Sequence, residues 1–247
     1  MFNKLTEVAL PHIIGVMVHS KEQLSPKAQQ AQDAFLSTLN ITERKTKKPV
    51  VIGMLGLVGS GKSTVSRELA SPIGATVVDG DAIRIQLRKV GERYKYVRQI
   101  AENVALEVLK RGGNVILDTD QIDDKKRAST REKVRKAGAE LYFVRTSADP
   151  HVMLGRMLTA SYKKSVDDLF GGAKTNWKDG DEQQTGAVIK FGEAWRRTPH
   201  HYRWVNEGGG RWELKKLPFA LLADIDTTDT AKWKNEVKKV VQKLLAP

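Results

Sequence analysis

The feature that most constrains this chain is a short apolar run that ends in a glycine-rich turn. From Val50 to Thr64 the sequence reads V-V-I-G-M-L-G-L-V-G-S-G-K-S-T, and the part from Gly56 to Ser63 fits G-x-x-x-x-G-K-[ST] at every fixed position. The β-branched residues before Gly56 favour a strand, and apolar positions at helical spacing follow the turn. This stretch therefore predicts a strand, a tight turn and a helix that begins at Lys62. Because both flanking elements are present, we reject a chance match in a glycine-rich turn.

The composition of the turn suits the phosphates of a nucleoside triphosphate. Glycine recurs at Gly56, Gly59 and Gly61, where backbone N–H groups can wrap a phosphate only if no Cβ blocks the approach. The helix that follows directs its positive dipole end at the same place. We expect the Lys62 ammonium to reach the β- and γ-phosphates and the Ser63 hydroxyl to ligate Mg²⁺. The predicted nucleotide-binding residues are Gly56, Val58, Gly59, Ser60, Gly61, Lys62, Ser63 and Thr64.

The charge of the chain is the second constraint. Its 247 residues carry a formal net charge of +13, which favours a polyanionic partner, nucleic acid first and an anionic membrane surface second. The absence of cysteine excludes disulfides, thiolate metal sites and a cysteine nucleophile. The apolar run from Val8 to Val18 is broken by Pro11 and Gly15 and is shorter than the roughly 20 residues that a spanning helix needs. We expect a soluble, unprocessed cytoplasmic protein with no membrane partner; the composition does not indicate an oligomeric state.

Strand and helix patterns alternate along the chain. The predicted strands are Val50 to Leu55, Ala75 to Val78, Asn114 to Leu117, Glu140 to Val144 and Phe219 to Ala223. The predicted helices begin at Ser25-Pro26, Lys62, Tyr94, Lys125, Asp149-Pro150 and just before Trp233. Alternation of this kind implies parallel strands joined by right-handed crossovers. The predicted fold is α/β, a three-layer sandwich with a parallel sheet of about five strands.

The domain prediction has two parts. Residues 1–48 are predicted to form a helical N-terminal extension that ends in a basic linker, and residues 49–247 to form the nucleotide-binding domain. Residues 161–212 interrupt the alternation, are rich in glycine and hold four of the five tryptophans. We interpret this segment as a lid that keeps water from the acceptor, or as a small accessory subdomain whose tryptophans form its own core.

Charged side chains follow the second and third predicted strands, at the edge where parallel sheets bind ligands. Asp81 and Arg84 follow strand two, and Asp118 ends strand three. A carboxylate that faces the terminal phosphate can accept the proton of an attacking hydroxyl, and an arginine one helical turn away can hold an anion. The structural alternatives are a helix N-cap for Asp81 and a solvated arginine at Arg84.

Three other groups of polar residues are predicted to be structural. We expect Asp79 and the pair Asp123-Asp124 to act in turns and helix caps. We expect His200 and His201 to lie at the surface or in the lid, because no further metal ligand follows at a familiar spacing.

Together these motifs resemble the polynucleotide-kinase-like branch of P-loop kinases, which also includes zeta-toxin-like and antibiotic phosphotransferases. The resemblance covers about residues 49–160 and the last strand and helix, and it implies ATP as the donor with Mg²⁺. It implies that Asp81 is the general base and that Arg84 contacts a phosphate of the acceptor. It also implies that Asp118 organises the metal or the acceptor and that Arg156 is a lid arginine near the transferring phosphate. The residues assigned to the catalytic and acceptor sites are Lys62, Asp81, Arg84, Arg88, Asp118, Arg127 and Arg156, with Ser63 and Asp118 as metal ligands.

The chain departs from that family in two places. A second lid arginine is expected about one turn after Arg156, but Ala160 stands there, which leaves Arg196 or Arg197 as substitutes. Strand three ends in D-T-D-Q where the family often has D-x-T-N, which weakens the assignment of Asp120.

The acceptor is predicted from the distribution of charge. Residues 84–136 contain fifteen Lys and Arg against eight Asp and Glu, and six of the cations lie between Arg84 and Arg98. A phosphodiester chain needs such a field, so the first hypothesis is a kinase for the 5′-hydroxyl of RNA or DNA. The second is a kinase for a small molecule such as a nucleoside, a sugar nucleotide or an antibiotic. The third is a nucleotide-dependent switch or binding module.

Overall fold

The computed structural model describes residues 23–162, 167–170 and 186–246. The apolar run from Val8 to Val18 and Trp177 lie outside these residues. None of the helices in the described ranges combines the length and apolar character needed to cross a membrane.

Five parallel strands form the central sheet, as the alternation of elements predicts. The seven strands of the described chain are β1 (Val50–Leu55), β2 (Ala75–Asp79), β3 (Asn114–Asp118), β4 (Glu140–Ser147), β5 (Tyr202–Val205), β6 (Arg211–Leu214) and β7 (Ala223–Asp226). The main sheet has the order β2-β3-β1-β4-β7, and β5 pairs with β6 in a separate antiparallel hairpin. All residues of β1 are buried, because the strand lies at the centre of the sheet with helices on both faces.

Two layers of helices cover the sheet. The helices are α1 (Pro26–Ser37), α2 (Lys62–Ile73), α3 (Gly80–Lys89), α4 (Val97–Lys110), α5 (Asp124–Lys136), α6 (Pro150–Thr159), α7 (Gly186–His201) and α8 (Lys232–Leu245). Apolar residues of α1, α3, α4 and α5 share a core on one face, whereas α2 and α8 pack on the other. The three-layer α/β fold is therefore confirmed.

The N-terminal helix contributes directly to the core of the domain. Ser25 caps α1 by accepting a hydrogen bond from the Ala28 N–H, with Pro26 at the first helical position, as the sequence predicts. Ala28, Ala31 and Phe35 are buried against α3 and α4. The boundary predicted at residue 48 therefore does not mark a break in the packing.

The last strand of the sheet begins four residues later than the sequence predicts. Phe219 is not in a strand; its ring packs edge-on against Phe143 at 5.2 Å and lies under the Arg127 guanidinium at 4.1 Å. The strand β7 begins only at Ala223, where pairing with β4 starts at Val144. Two other boundaries also differ: β4 continues to Ser147, and the α-helix predicted from Tyr94 begins at Val97 after a 3₁₀ turn.

The predicted lid contains α7 and the hairpin of β5 and β6 within its described part. Ala194 of α7 and Tyr202 of β5 join a small core with Leu57 and Met153, which attaches the lid to the glycine turn. Trp195, Trp204 and Trp212 are 64%, 51% and 39% exposed, so these three tryptophans do not form the accessory core that the sequence suggested.

Candidate active site

The glycine turn has the geometry that the motif predicts. Gly56, Gly59 and Gly61 all have positive φ, and Gly61 caps α2 with no side-chain hydrogen bond to its N-terminal N–H groups. A Cβ at Gly56 would lie 2.5 Å from the Ser60 hydroxyl and from the Thr146 carbonyl. Position 56 therefore requires glycine, both for its positive φ and for its close packing on β4. The N–H groups at the beginning of α2, which no side chain caps, fit the phosphates of a nucleotide.

Residues at the ends of neighbouring strands form hydrogen bonds with this phosphate cradle. The hydroxyl of buried Ser60 lies 2.8 Å from the Thr146 hydroxyl at the end of β4. Thr227, just after β7, donates to the Ser60 carbonyl at 3.0 Å. Because Thr146 and Thr227 are themselves buried at the ends of β4 and β7, the sheet holds the conformation of the turn.

Lys62, Ser63 and Asp118 meet at the beginning of α2. The Lys62 ammonium donates to the Gly56 and Leu57 carbonyls at 2.7 and 2.9 Å, so the turn holds it in place. Burial raises the pKa of Asp118, and its hydrogen bond with Ser63 and the charge of Lys62 oppose that rise. The Ser63 hydroxyl and the Asp118 carboxylate are oxygen donors of the kind that suit Mg²⁺.

Asp81 and Arg84 form a pair at the same edge of the sheet. Arg84 Nη1 donates to Asp81 Oδ1 at 2.7 Å, and the Asp81 side chain is 52% exposed. The N-cap of α3 is Asp79, whose carboxylate accepts the Asp81 N–H at 2.8 Å, as expected for Asp79. Asp81 is therefore not the cap, and its carboxylate is open to a ligand.

The raised pKa of Asp79 predicts how the stability of the protein depends on pH. Burial, followed by the charges of Asp81 and Asp118, raises its pKa from 3.8 to about 6. The folded state therefore binds this proton more tightly than the unfolded chain does. The free energy of unfolding should fall by on the order of 2 kcal/mol as pH rises from about 4 to about 6. Urea denaturation without nucleotide or Mg²⁺ measures this fall; Asp79→Asn keeps the cap and should remove it. Equal pH slopes for the two proteins would contradict the assignment.

The structure corrects the assignment of Arg127 to the acceptor site. Arg127 is buried, donates to the Gln121 and Ile122 carbonyls at 2.8 and 2.6 Å, contacts Asp124, and stacks on the Phe219 ring. It fixes the loop between β3 and α5, and its burial keeps it from an acceptor.

Arg88 and Lys89 contact the lid. Arg88 donates to the Asp168 carbonyl at 3.0 Å, and Lys89 pairs with the Asp167 carboxylate at 2.5 Å. The C-terminal half of α3 is thus attached to residues 167–170.

Arg156 lies on the opposite side of the glycine turn from the pair of Asp81 and Arg84. Its guanidinium donates to the Gly59 carbonyl at 3.0 Å and to the hydroxyl and carbonyl of Thr227. It lines a cleft of about 500 Å³ whose other walls come from the beginning of α2 and the beginning of α8. The remaining lining residues are Gly61, Thr64, Val65, Thr227, Thr230, Ala231, Trp233 and Lys234. Because this cleft adjoins the phosphate cradle, it can accept the base and ribose of a nucleotide. This cleft was not predicted from the sequence, because the lining residues from Thr227 to Lys234 are more than 160 positions away from the turn.

Asp120 has more partners in the structure than the sequence suggested. Its carboxylate accepts hydrogen bonds from Arg197 at 2.8 Å and from His201 at 3.0 Å. Burial alone would raise the pKa of Asp120, but the His201 hydrogen bond and the charges of Lys62 and Arg197 lower it to about 2. His201 is buried in this contact, not at the surface, and His200 is exposed. Asp120 thus joins α7 to the end of β3.

Many cations of the basic tract, residues 84–136, are held in ion pairs. At least seven of its fifteen cations pair with carboxylates of described residues, among them Arg84 with Asp81 and Lys89 with Asp167. Arg98 and Lys133 both contact the buried carboxylate of Glu102, which joins α4 to α5. These ion pairs lower the positive field that the tract presents to a phosphodiester chain, most firmly where the carboxylate is buried, as at Glu102.

The fold and the site together define a P-loop domain. Residues 51–163 match the family model AAA_33, described as "AAA domain". No curated protein sequence matches the chain significantly.

Solved structures share the same architecture. A putative kinase from Chloroflexus aurantiacus is 17% identical, with 81% of this chain and 100% of that chain covered at a TM-score of 0.51. The APS kinase CysC of Mycobacterium tuberculosis is 16% identical, with 81% and 99% covered at a TM-score of 0.48. A gluconokinase from Sinorhizobium meliloti is 16% identical, with 82% and 95% covered at a TM-score of 0.45. The likeness to the Chloroflexus aurantiacus protein supports the fold and nothing finer. None of these comparisons identifies the polynucleotide-kinase-like branch or a nucleic-acid partner.

Proposed function

We propose that this chain is an ATP-dependent phosphotransferase that phosphorylates a hydroxyl group of a small molecule, with Asp81 as the general base. The observation that carries the proposal is the exposed Asp81 carboxylate at the carboxyl ends of β2 and β3, where Asp79 pairs with Asp118 in the sheet. An acceptor bound at Asp81 therefore lies at the edge where the γ-phosphate of a bound nucleotide ends.

The donor nucleotide would occupy the glycine turn and the adjoining cleft. The turn supplies backbone N–H groups and Lys62 for the phosphates, Ser63 and Asp118 supply oxygen ligands for Mg²⁺, and Arg156 lines the space for the base. Bound Mg²⁺ neutralises charge on the phosphates during transfer. Asp81 takes the proton of the acceptor hydroxyl, and Arg84 holds the carboxylate in position through their 2.7 Å hydrogen bond.

A small acceptor fits the acceptor side better than a polynucleotide does. A polynucleotide gains its affinity from several free cations along a groove. Here Arg84, Arg88 and Lys89 are already bound to Asp81, Asp168 and Asp167, and the last two contacts place residues 167–170 across the end of α3. This favours the small-molecule hypothesis over the polynucleotide kinase hypothesis that the charge of the chain suggests.

A panel of acceptors with labelled ATP tests the proposal. We expect phosphate transfer to at least one small hydroxylated compound and negligible transfer to oligonucleotides that carry a 5′-hydroxyl. Transfer to oligonucleotides that falls steeply with added salt would favour the polynucleotide hypothesis instead. ATP hydrolysis without transfer to any acceptor would support the nucleotide-dependent switch.

A further inference from the structure

Asp120 lies between the glycine turn and the helix α7. Its Oδ2 accepts hydrogen bonds from Arg197 Nη1 at 2.8 Å and from His201 Nε2 at 3.0 Å. Its Oδ1 accepts a long hydrogen bond of 3.5 Å from the N–H of Gly56, the first residue of the turn. A single carboxylate therefore contacts both the phosphate-binding turn and α7.

The backbone fixes Asp120 at this place. The next residue, Gln121, donates its N–H to the Met54 carbonyl of β1 at 3.0 Å, two residues before the turn begins. Gln121 is itself buried, and the Arg127 guanidinium donates to its carbonyl at 2.8 Å. These bonds hold the loop after β3 on the end of β1, and they do not involve α7. Asp120 is thus a fixed point on the sheet to which α7 attaches.

The contact uses one side of α7. Glu193, Arg197 and His201 follow one another at intervals of four residues, so they lie along the same side of the helix. Glu193 accepts a hydrogen bond from Arg197 Nε at 2.8 Å, which orients the guanidinium whose Nη1 reaches Asp120. The adjacent Arg196 also pairs with Glu193, but its side chain is 72% exposed.

Burial makes this attachment costly to break. The Asp120 side chain is 10% exposed and the His201 side chain 2%. A buried carboxylate is tolerated when hydrogen bonds and opposite charge compensate it, and removal of a partner leaves its charge uncompensated. Arg197 and His201 both come from α7, so Asp120 favours the position in which α7 lies on the turn. In that position Ala194 of α7 packs in one small core with Leu57 of the turn.

We propose that Asp120 is a positioning residue that holds α7 on the phosphate-binding turn and thereby keeps water from the transferring phosphate. This inference rests on the proposed function, because it concerns how the same site favours transfer over hydrolysis. Asp120 acts through Arg197 and His201 and takes no part in the proton transfer. Without this attachment a nucleotide still binds the turn, but water competes with the acceptor hydroxyl for its terminal phosphate.

The first test measures the attachment of α7 and does not depend on catalysis. Hydrogen exchange of peptides from α7 reports on it, because a helix of 16 residues is only marginally stable in water when it is not packed. We expect Arg197→Met to accelerate exchange in α7 about tenfold or more, since it leaves Asp120 partly uncompensated. Exchange in β1 should stay at the wild-type rate, which separates detachment of α7 from unfolding of the domain.

The matched control is Arg196→Met, on the same helix and with the same partner Glu193. We expect this control to exchange at the wild-type rate in α7. Wild-type exchange in the Arg197 variant would overturn the proposal. Equal acceleration in both variants would also overturn it, because the attachment would then depend on Glu193 and not on Asp120.

The second test measures how bound ATP is divided between transfer and hydrolysis. With labelled ATP and an acceptor, we expect Arg197→Met and Asp120→Asn to raise the ratio of hydrolysis to transfer about tenfold. Arg203→Met, an exposed arginine of β5, should keep the wild-type ratio. A fall of both rates by the same factor would overturn the proposal, because exclusion of water changes their ratio. If the wild type phosphorylates no acceptor while exchange in α7 still depends on Arg197, the kinase proposal is contradicted and the attachment through Asp120 is supported.

Discussion

Replacement of Asp81 by asparagine is expected to reduce the rate of phosphate transfer about 10²- to 10⁴-fold. Asparagine can still accept the hydrogen bond from Arg84, so the position of the side chain is retained, but it cannot take a proton from the acceptor hydroxyl. Removal of a negative charge next to Asp118 also lowers the repulsion of the γ-phosphate. Affinity for ATP should therefore stay equal or increase. Single-turnover transfer from labelled ATP and nucleotide titration measure the two effects separately.

The matched control for this prediction is Asp123→Asn. Asp123 is an exposed aspartate that caps α5, and asparagine caps a helix about as well. We expect the control to transfer phosphate at the wild-type rate. If Asp81→Asn also retained that rate, Asp81 would not be the base, and the site would be reduced to nucleotide binding.

Replacement of Lys62 by methionine is expected to lower transfer about 10²- to 10³-fold and to weaken ATP binding as well. In the structure the ammonium is held by two carbonyls of the glycine turn, at 2.7 and 2.9 Å. With a nucleotide bound, the Lys62 ammonium would contact the β- and γ-phosphate oxygens, and methionine could not replace that contact. Because Lys62 contacts donor phosphates in both the ground state and the transition state, this variant should lose both affinity and rate, in contrast to Asp81→Asn.

Lys238→Met serves as the control, because Lys238 is an exposed lysine on α8. Thermal melting of both variants excludes unfolding as the cause of lost activity. Wild-type transfer by Lys62→Met would contradict the assignment of the glycine turn as the donor site.

The local part of the site could be predicted from the sequence. The glycine turn, the N-caps at Ser25 and Asp79, and the beginning of α2 depend on residues a few positions apart. Backbone conformation and capping are set over such short distances, so the residue pattern is enough to predict them.

Side chains on the acceptor side depend on how the helices pack. The sequence suggests Arg127 as a ligand of the acceptor, but a difference of one residue is about 100° around a helix, and packing against Phe219 turns Arg127 inward. Likewise, Asp120 obtains its partners from α7, some 80 positions away, and only the packing of α7 against the glycine turn creates that contact.

Charge is the property for which composition was least informative. A net charge of +13 indicates a polyanionic partner, but it does not reveal that Glu102 takes up two cations of the tract or that Asp167 and Asp168 contact Lys89 and Arg88. Which cations remain available is decided by neighbours distant in sequence.

By itself the sequence determined a buried strand, a glycine turn and the beginning of a helix with the geometry of a phosphate-binding loop, because consecutive residues dictate that backbone geometry. The tertiary structure decided which residues line the cleft beside the turn, which cations of the described chain are ion-paired, and which carboxylate is exposed. Those properties depend on how α3, α5, α7 and the segment after β7 pack together at one edge of the sheet. These elements are far apart in the sequence, so no short stretch of residues specifies that packing.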